Sequence, residues 1–105
     1  MTEREVVYVV CAEEGEYSGR SDWRVCAFRT EADAKAHAAA CEALVLELQL
    51  MAKAAKGIWV AVDAEMADRI ERTDPGLRTT SVGNEVMVNV WRRPEYSVEE
   101  VELRC

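Results

Sequence analysis

An α+β fold, with an antiparallel sheet of about four strands and a long amphipathic helical segment packed on one face, is predicted by three features of the sequence. Runs rich in β-branched and aromatic residues lie near both ends of the chain, at 5–11, 23–29, 86–90 and 96–103. An apolar stripe at helical spacing fills the middle, from Ala34 to Ala55. The order is therefore β-β-α-(α)-β-β, and a helical block between two pairs of strands packs as one layer on an antiparallel sheet.

The first strand is Glu-Val-Val-Tyr-Val-Val-Cys, residues 5–11, with so little polar alternation that it reads as covered on both faces. Residues 12–22 carry two glycines, two serines, Asp22 and the carboxylates Glu13, Glu14 and Glu16, which predicts a loop. Residues 23–29 form the second strand, paired with the first as a hairpin. Thr30 is a good helix N-cap, and Glu31 and Asp33 place negative charge in the first turn, where the helix dipole favours it. Ala34, Ala38, Cys41, Val45, Leu48, Ala52 and Ala55 then recur at spacings of four and three, widened by Leu44 and Met51. Lys35, Glu42, Gln49 and Lys56 repeat every seven residues on another face.

Gly57 interrupts this helix. Residues 58–62, Ile-Trp-Val-Ala-Val, admit two readings: a short buried strand followed by Asp63 as a new N-cap, or a helix resuming past a kink. The second is favoured, because Ala55, Trp59, Val62, Met66 and Ile70 continue the helical spacing. Residues 64–72 are helical on either reading, and Asp74-Pro75-Gly76 ends them. Gly83-Asn84 predicts a turn before the strand Val86–Val90. Tyr96 and Val98 open a last strand that Val101 and Leu103 close; the slip in phase between Val98 and Val101 predicts a bulge near Glu99 and Glu100.

At 105 residues, half of them hydrophobic, the chain forms one domain, 1–105. A helix of about 26 residues is roughly 39 Å long. A four-stranded sheet of short strands is only about 20 Å along its strands. The overhanging stripe needs a cover, which the second helical segment folding back within the chain or a second copy would supply; a homodimer through Val45, Leu48, Met51, Ala52 and Ala55 is the favoured reading.

Charge and chemistry narrow the function. The net charge of −7 opposes nucleic-acid binding; it is ordinary for the solubility of a small domain, and it also fits docking on a basic protein surface. No apolar run is long enough for a membrane span, and Met-Thr-Glu-Arg-Glu lacks the order of a signal peptide, so a cytoplasmic location is expected. The four cysteines, Cys11, Cys26, Cys41 and Cys105, form no Cys-x-x-Cys pair and read as free thiols, with Cys105 the most exposed. His37, the only histidine, has Cys41 one helical turn on, but an apolar-flanked thiol is usually inert. Glu99, Glu100 and Glu102 and the acids of the first loop read as solvated surface, not as a split-pKa catalytic pair. No phosphate loop, metal motif or cofactor site is present in the sequence. A binding protein is expected, not an enzyme. Glu13, Glu14, Glu16, Tyr17 and Asp22 form its candidate contact surface, with Tyr17 as an exposed anchor. Trp23, Trp59 and Trp91 are expected in the core.

Tyr8-Val9-Val10, Gly15-Glu16-Tyr17-Ser18, Val25 to Phe28 with Thr30-Glu31-Ala32-Asp33-Ala34, then Asp74-Pro75 and Tyr96-Ser97-Val98-Glu99-Glu100-Val101-Glu102-Leu103 together resemble a family of small bacteriophage and prophage proteins. The resemblance covers the two ends, under half the chain, and Gly19 stands where that pattern has an acid. It implies a phage accessory protein in the host cytoplasm. Such a protein with this charge is expected to inhibit a host defence or nucleic-acid-handling complex by binding a host protein. The alternatives are a sequestering protein for a nucleotide-like small molecule, with an aromatic pocket at a dimer interface, and a small enzyme.

Overall fold

The computed structural model describes residues 5–15, 21–57, 59–77, 79–89 and 94–103. The α+β class holds, with six strands in two antiparallel three-stranded sheets. The elements are β1 (Glu5–Glu14), β2 (Ser21–Phe28), α1 (Glu31–Ala55), β3 (Trp59–Val62), α2 (Ala64–Thr73), β4 (Thr79–Val82), β5 (Glu85–Asn89) and β6 (Glu95–Leu103). One sheet has the order β2-β1-β6 and the other β3-β5-β4.

Helix α1 begins where its cap predicts. The Thr30 hydroxyl accepts from the Asp33 N–H at 3.2 Å. It ends at Lys56, which adopts the left-handed conformation (φ 57°) and donates its N–H to the carbonyls of Ala52 and Lys53. Its two halves cover different sheets. Ala34 and Ala38 pack with Val10 of β1 against Tyr8, Val25, Cys26, Phe28, Tyr96 and Val98. Leu44, Val45, Leu48 and Ala52 pack with Val60, Val62 and Val88 of the second sheet, Ile70 of α2 and Leu77 of the turn that follows it. The overhang of the helix beyond the first sheet is real, but its cover is intramolecular. Of the residues expected at a dimer interface, Val45, Leu48 and Ala52 are buried inside this chain, Met51 is half-buried against the same core, and Ala55 is exposed. That stripe is therefore not a surface that a second copy can cover.

Residues 59–62 form a strand, correcting the helical reading. Val60 and Val62 are buried and Trp59 and Ala61 exposed, a period of two. The αL residue Lys56 turns the chain out of the helix, and β5 supplies the backbone partners, pairing Val60 with Val88 and Val62 with Val86. Asp63 then caps α2, accepting from the Met66 N–H at 2.7 Å. Trp59 is 39% exposed, contrary to its expected core position, because it lies on the open face of this sheet. Trp91 lies outside the described residues. Strand β4 has no counterpart in the sequence reading. It forms a hairpin with β5 across Gly83-Asn84, with Val82 opposite Glu85. Gly83 takes the positive φ of 63° that a two-residue hairpin loop requires.

Pairing also extends the first hairpin into the expected loop: Ala12, Glu13 and Glu14 belong to β1, and Ser21 and Asp22 to β2. Strand β1 is central and gains ladder hydrogen bonds on both edges, which outweighs the weak strand preference of Glu and Asp. The expected bulge in β6 is absent. All nine pairs from Glu5–Leu103 to Glu13–Glu95 run in register. The slip in phase is a change of face: Val98 pairs with Val10 on the helix side, and Val101 pairs with Val7 on the other. The bulge lies instead in β2, where Val10 pairs with Cys26 and Cys11 with Arg24, leaving Val25 without an opposite residue.

Candidate interaction surface

The first sheet has one face on α1 and one face open. Alternation along β1 puts Tyr8, Val10, Ala12 and Glu14 on the helix side and Val7, Val9, Cys11 and Glu13 on the open side. Glu14 is 8% exposed and belongs to the covered face. Glu13 is opposite Asp22 on β2 and opposite Glu95 on β6. Three carboxylates from three strands thus form one row across the open face. The next row is Arg24, Cys11 and Ser97. Glu99 lies one further step along, its Oε2 accepting from the Cys11 thiol at 3.6 Å. Glu13, Asp22, Arg24, Cys11, Ser97 and Glu99, with Ala12, Trp23 and Val98, line an open groove of 480 Å³.

Like charges directly opposite one another weaken a sheet. A row of three acids is therefore a feature that the pairing tolerates, not one that it needs. Of the expected contact residues, Glu13 and Asp22 meet on this face, Glu14 turns away from it, and Glu16 and Tyr17 lie outside the described residues. The sequence does not mark Glu95 as a contact residue and presents Glu99 as plain surface. Counting by twos from the pair Val7–Val101 places both on the face of Glu13.

A second polar cluster lies in the interior. Asp74 is fully buried at the C-terminal end of α2. Its Oδ1 accepts from the indole N–H of Trp23 at 2.9 Å and from the Gly76 N–H at 3.0 Å. Its Oδ2 accepts from the Tyr96 hydroxyl at 2.6 Å. Three donors satisfy the carboxylate, so its burial is tolerated. It joins β2 and β6 of the first sheet to the helix that packs with the second.

His37 and Cys41 turn toward the same corner. The His37 Nε2–H donates to the Thr73 carbonyl at 2.7 Å, and the Cys41 thiol donates to that same carbonyl at 3.5 Å. The imidazole also stacks obliquely on Phe28, with ring centroids 5.3 Å apart. Both side chains cap the carbonyl of Thr73 at the end of α2, so the thiol proton is aimed at a backbone oxygen and not at the imidazole. Burial, then the nearby Asp74 carboxylate, pushes the Cys41 thiol up to about 12. Burial first, and the Asp74 hydrogen bond second, also hold the Tyr96 hydroxyl above its ordinary value of 10.0. Burial likewise raises the thiols of Cys11 and Cys26. None of these three thiols has the lowered value of a nucleophile. Cys105 lies outside the described residues.

Both Cys41 and Tyr96 ionise more readily in the unfolded chain. Their contribution to stability is whole below pH 9.0, the ordinary thiol value, and declines as pH rises toward 12. Urea midpoints are expected to be flat from neutrality to about pH 9 and to fall above it. Cys41 is expected to resist a disulfide-exchange reagent at pH 8 in the native protein and to react fully in denaturant, as read by the mass of the labelled peptide.

Among the described residues, no group of three or more His, Cys, Asp or Glu side chains converges to hold a metal ion. No helix among them is long and apolar enough to cross a membrane. No known protein family, no curated protein and no solved structure matches this chain.

Proposed function

We propose that the chain is a phage-encoded accessory protein that binds a basic surface on a host protein through the open acidic face of its first sheet. Inhibition of a host defence or nucleic-acid-handling complex is the activity that fits this chemistry. The observation that carries the reading is the row Asp22–Glu13–Glu95, with Glu99 on the same face. Its position on a rigid three-stranded frame supports it, since fixed charges need no ordering when a partner docks. A protein evolved to meet phosphate-binding surfaces presents carboxylates where nucleic acid presents phosphates.

The test compares the wild type with the variant Glu13→Gln/Asp22→Asn/Glu95→Gln/Glu99→Gln, each tagged and recovered from a host-like bacterial lysate for native mass spectrometry. The wild type is expected to retain a basic protein and to lose it as salt is raised. The variant should bind it at least about tenfold more weakly, mainly through slower association. Equal retention by the variant would sink the acidic face as the binding surface. Retention of a molecule of a few hundred daltons instead would favour the sequestering reading.

A further inference from the structure

Strand β6 forms one border of the first sheet. It pairs with β1 through nine residues without a bulge, and among the described residues no strand pairs with its outer side. A border strand presents backbone N–H and C=O groups outward, a template for one more strand. Nine extended residues make that template roughly 30 Å long. They include no proline and no glycine, the residues that interrupt a ladder. The other borders are poorer templates: β2 is broken by the bulge at Val25, and β3 and β4 have four residues each.

We propose that the outer edge of β6 takes up an extended, basic segment of a partner protein as a fourth strand of this sheet, antiparallel to β6. This extends the acidic-face reading, on which it rests for the sign of the partner's charge, to the partner's conformation. Charge selects the occupant. Glu95, Glu99 and Glu100 are exposed, and alternation puts the first two on the open face and Glu100 on the other. Glu99 accepts from the Cys11 thiol at 3.6 Å and Glu100 from the Tyr8 hydroxyl at 3.4 Å. Each carboxylate has further acceptor positions for a cation.

An added strand sets its side chains directly opposite those of β6, where opposite charges favour pairing and like charges oppose it. The β6 of a second copy would bring its own glutamates to the seam, and a net charge of −7 repels that copy as a whole. Charged side chains on an edge keep unsuited strands away, and the same carboxylates admit a basic one. Antiparallel pairing fixes its pattern. Cations opposite Glu100 and Glu99 are neighbours in the partner's sequence, and a third, opposite Glu95, follows four residues later. Apolar residues meet the half-buried Val101 and Val98. Between α1 and the start of β6, Glu42, Pro94, Glu95 and Tyr96 line an open groove of 420 Å³, with room for a side chain of the added strand.

The test titrates the full chain with the capped peptide Thr-Thr-Val-Lys-Lys-Val-Thr-Val-Lys, written to lie antiparallel to β6 from Leu103 to Glu95. Successive N–H groups of a strand point to opposite sides, so two further peptides carry N-methyl groups at the odd or at the even positions. One of the two is expected to bind at least about tenfold more weakly than the parent, through lost ladder hydrogen bonds, and the other about as well. Amide exchange should slow along β6 and not along β2. Glu99→Lys/Glu100→Lys should weaken the parent peptide at least about fivefold and gain affinity for a peptide with glutamate at the lysine positions. Equal binding of both methylated peptides, protection away from β6, or no binding of the parent overturns the proposal. If the four-site variant described above loses its lysate partner while the peptides show no such phase, the acidic face stands and strand addition falls. A phased peptide that the charge-reversed variant binds unchanged overturns charge as the selector.

Discussion

Replacing Asp74 by alanine is expected to cost about 4 kcal/mol of stability, a large share of what a domain of this size has. The carboxylate is fully buried and takes hydrogen bonds from Trp23, Gly76 and Tyr96. Truncation leaves two side-chain donors and one backbone donor inside the protein without an acceptor, and each unsatisfied group costs about 1–3 kcal/mol, partly recovered where water enters. The loss is also topological. Asp74 ends α2 and holds β2 and β6 at once, so its removal loosens the joint between the two sheets. Asp74→Asn is the informative companion. It keeps an oxygen for Trp23 and Gly76 and turns an amide toward Tyr96, whose hydroxyl can accept as well as donate. Its cost is expected to be about 1–2 kcal/mol. Urea titrations of the three proteins check both values. An alanine variant within about 1 kcal/mol of the wild type would show that the cluster is not a structural tie.

Gly76→Ala is expected to be nearly as damaging, at about 3–4 kcal/mol, for a different reason. A Cβ at this position would stand 2.3 Å from both Cδ1 and Nε1 of Trp23, well inside contact distance. The indole cannot give way without breaking its 2.9 Å bond to Asp74. The substitution therefore adds overpacking and a lost hydrogen bond together. A double-mutant cycle separates this from any backbone effect. In a Trp23→Ala background the same glycine substitution should cost under about 1 kcal/mol, because the obstructing ring is gone. An undiminished cost in that background would place the damage in the turn itself.

The Asp74-Pro75-Gly76 sequence thus has two roles, and only one was legible in the chain. Proline and glycine after a helical pattern announce a stop, and the stop is where they place it. That the aspartate beneath the stop is buried against Trp23 and Tyr96, 51 and 22 residues away in sequence, has no local signature. The same division holds for the acidic face. Alternation within β1 and β6 can be counted from the chain, but the row Asp22–Glu13–Glu95 requires the register of two pairings, one of them shifted by the bulge at Val25.

Local chemistry by itself determined the cap at Thr30, the helix that it opens, the helical character of residues 64–72, the α+β class and the hairpin of β1 with β2. In each case the deciding interactions lie within a few residues or within one periodic face. The tertiary structure alone decided that residues 59–62 are a strand, that the strands divide into two sheets, and that the stripe from Leu44 to Ala52 is covered within the chain. Those outcomes rest on partners distant in sequence. A short apolar run such as Val60–Val62 suits a helix or a strand equally, and only the backbone of β5 alongside it resolves the choice.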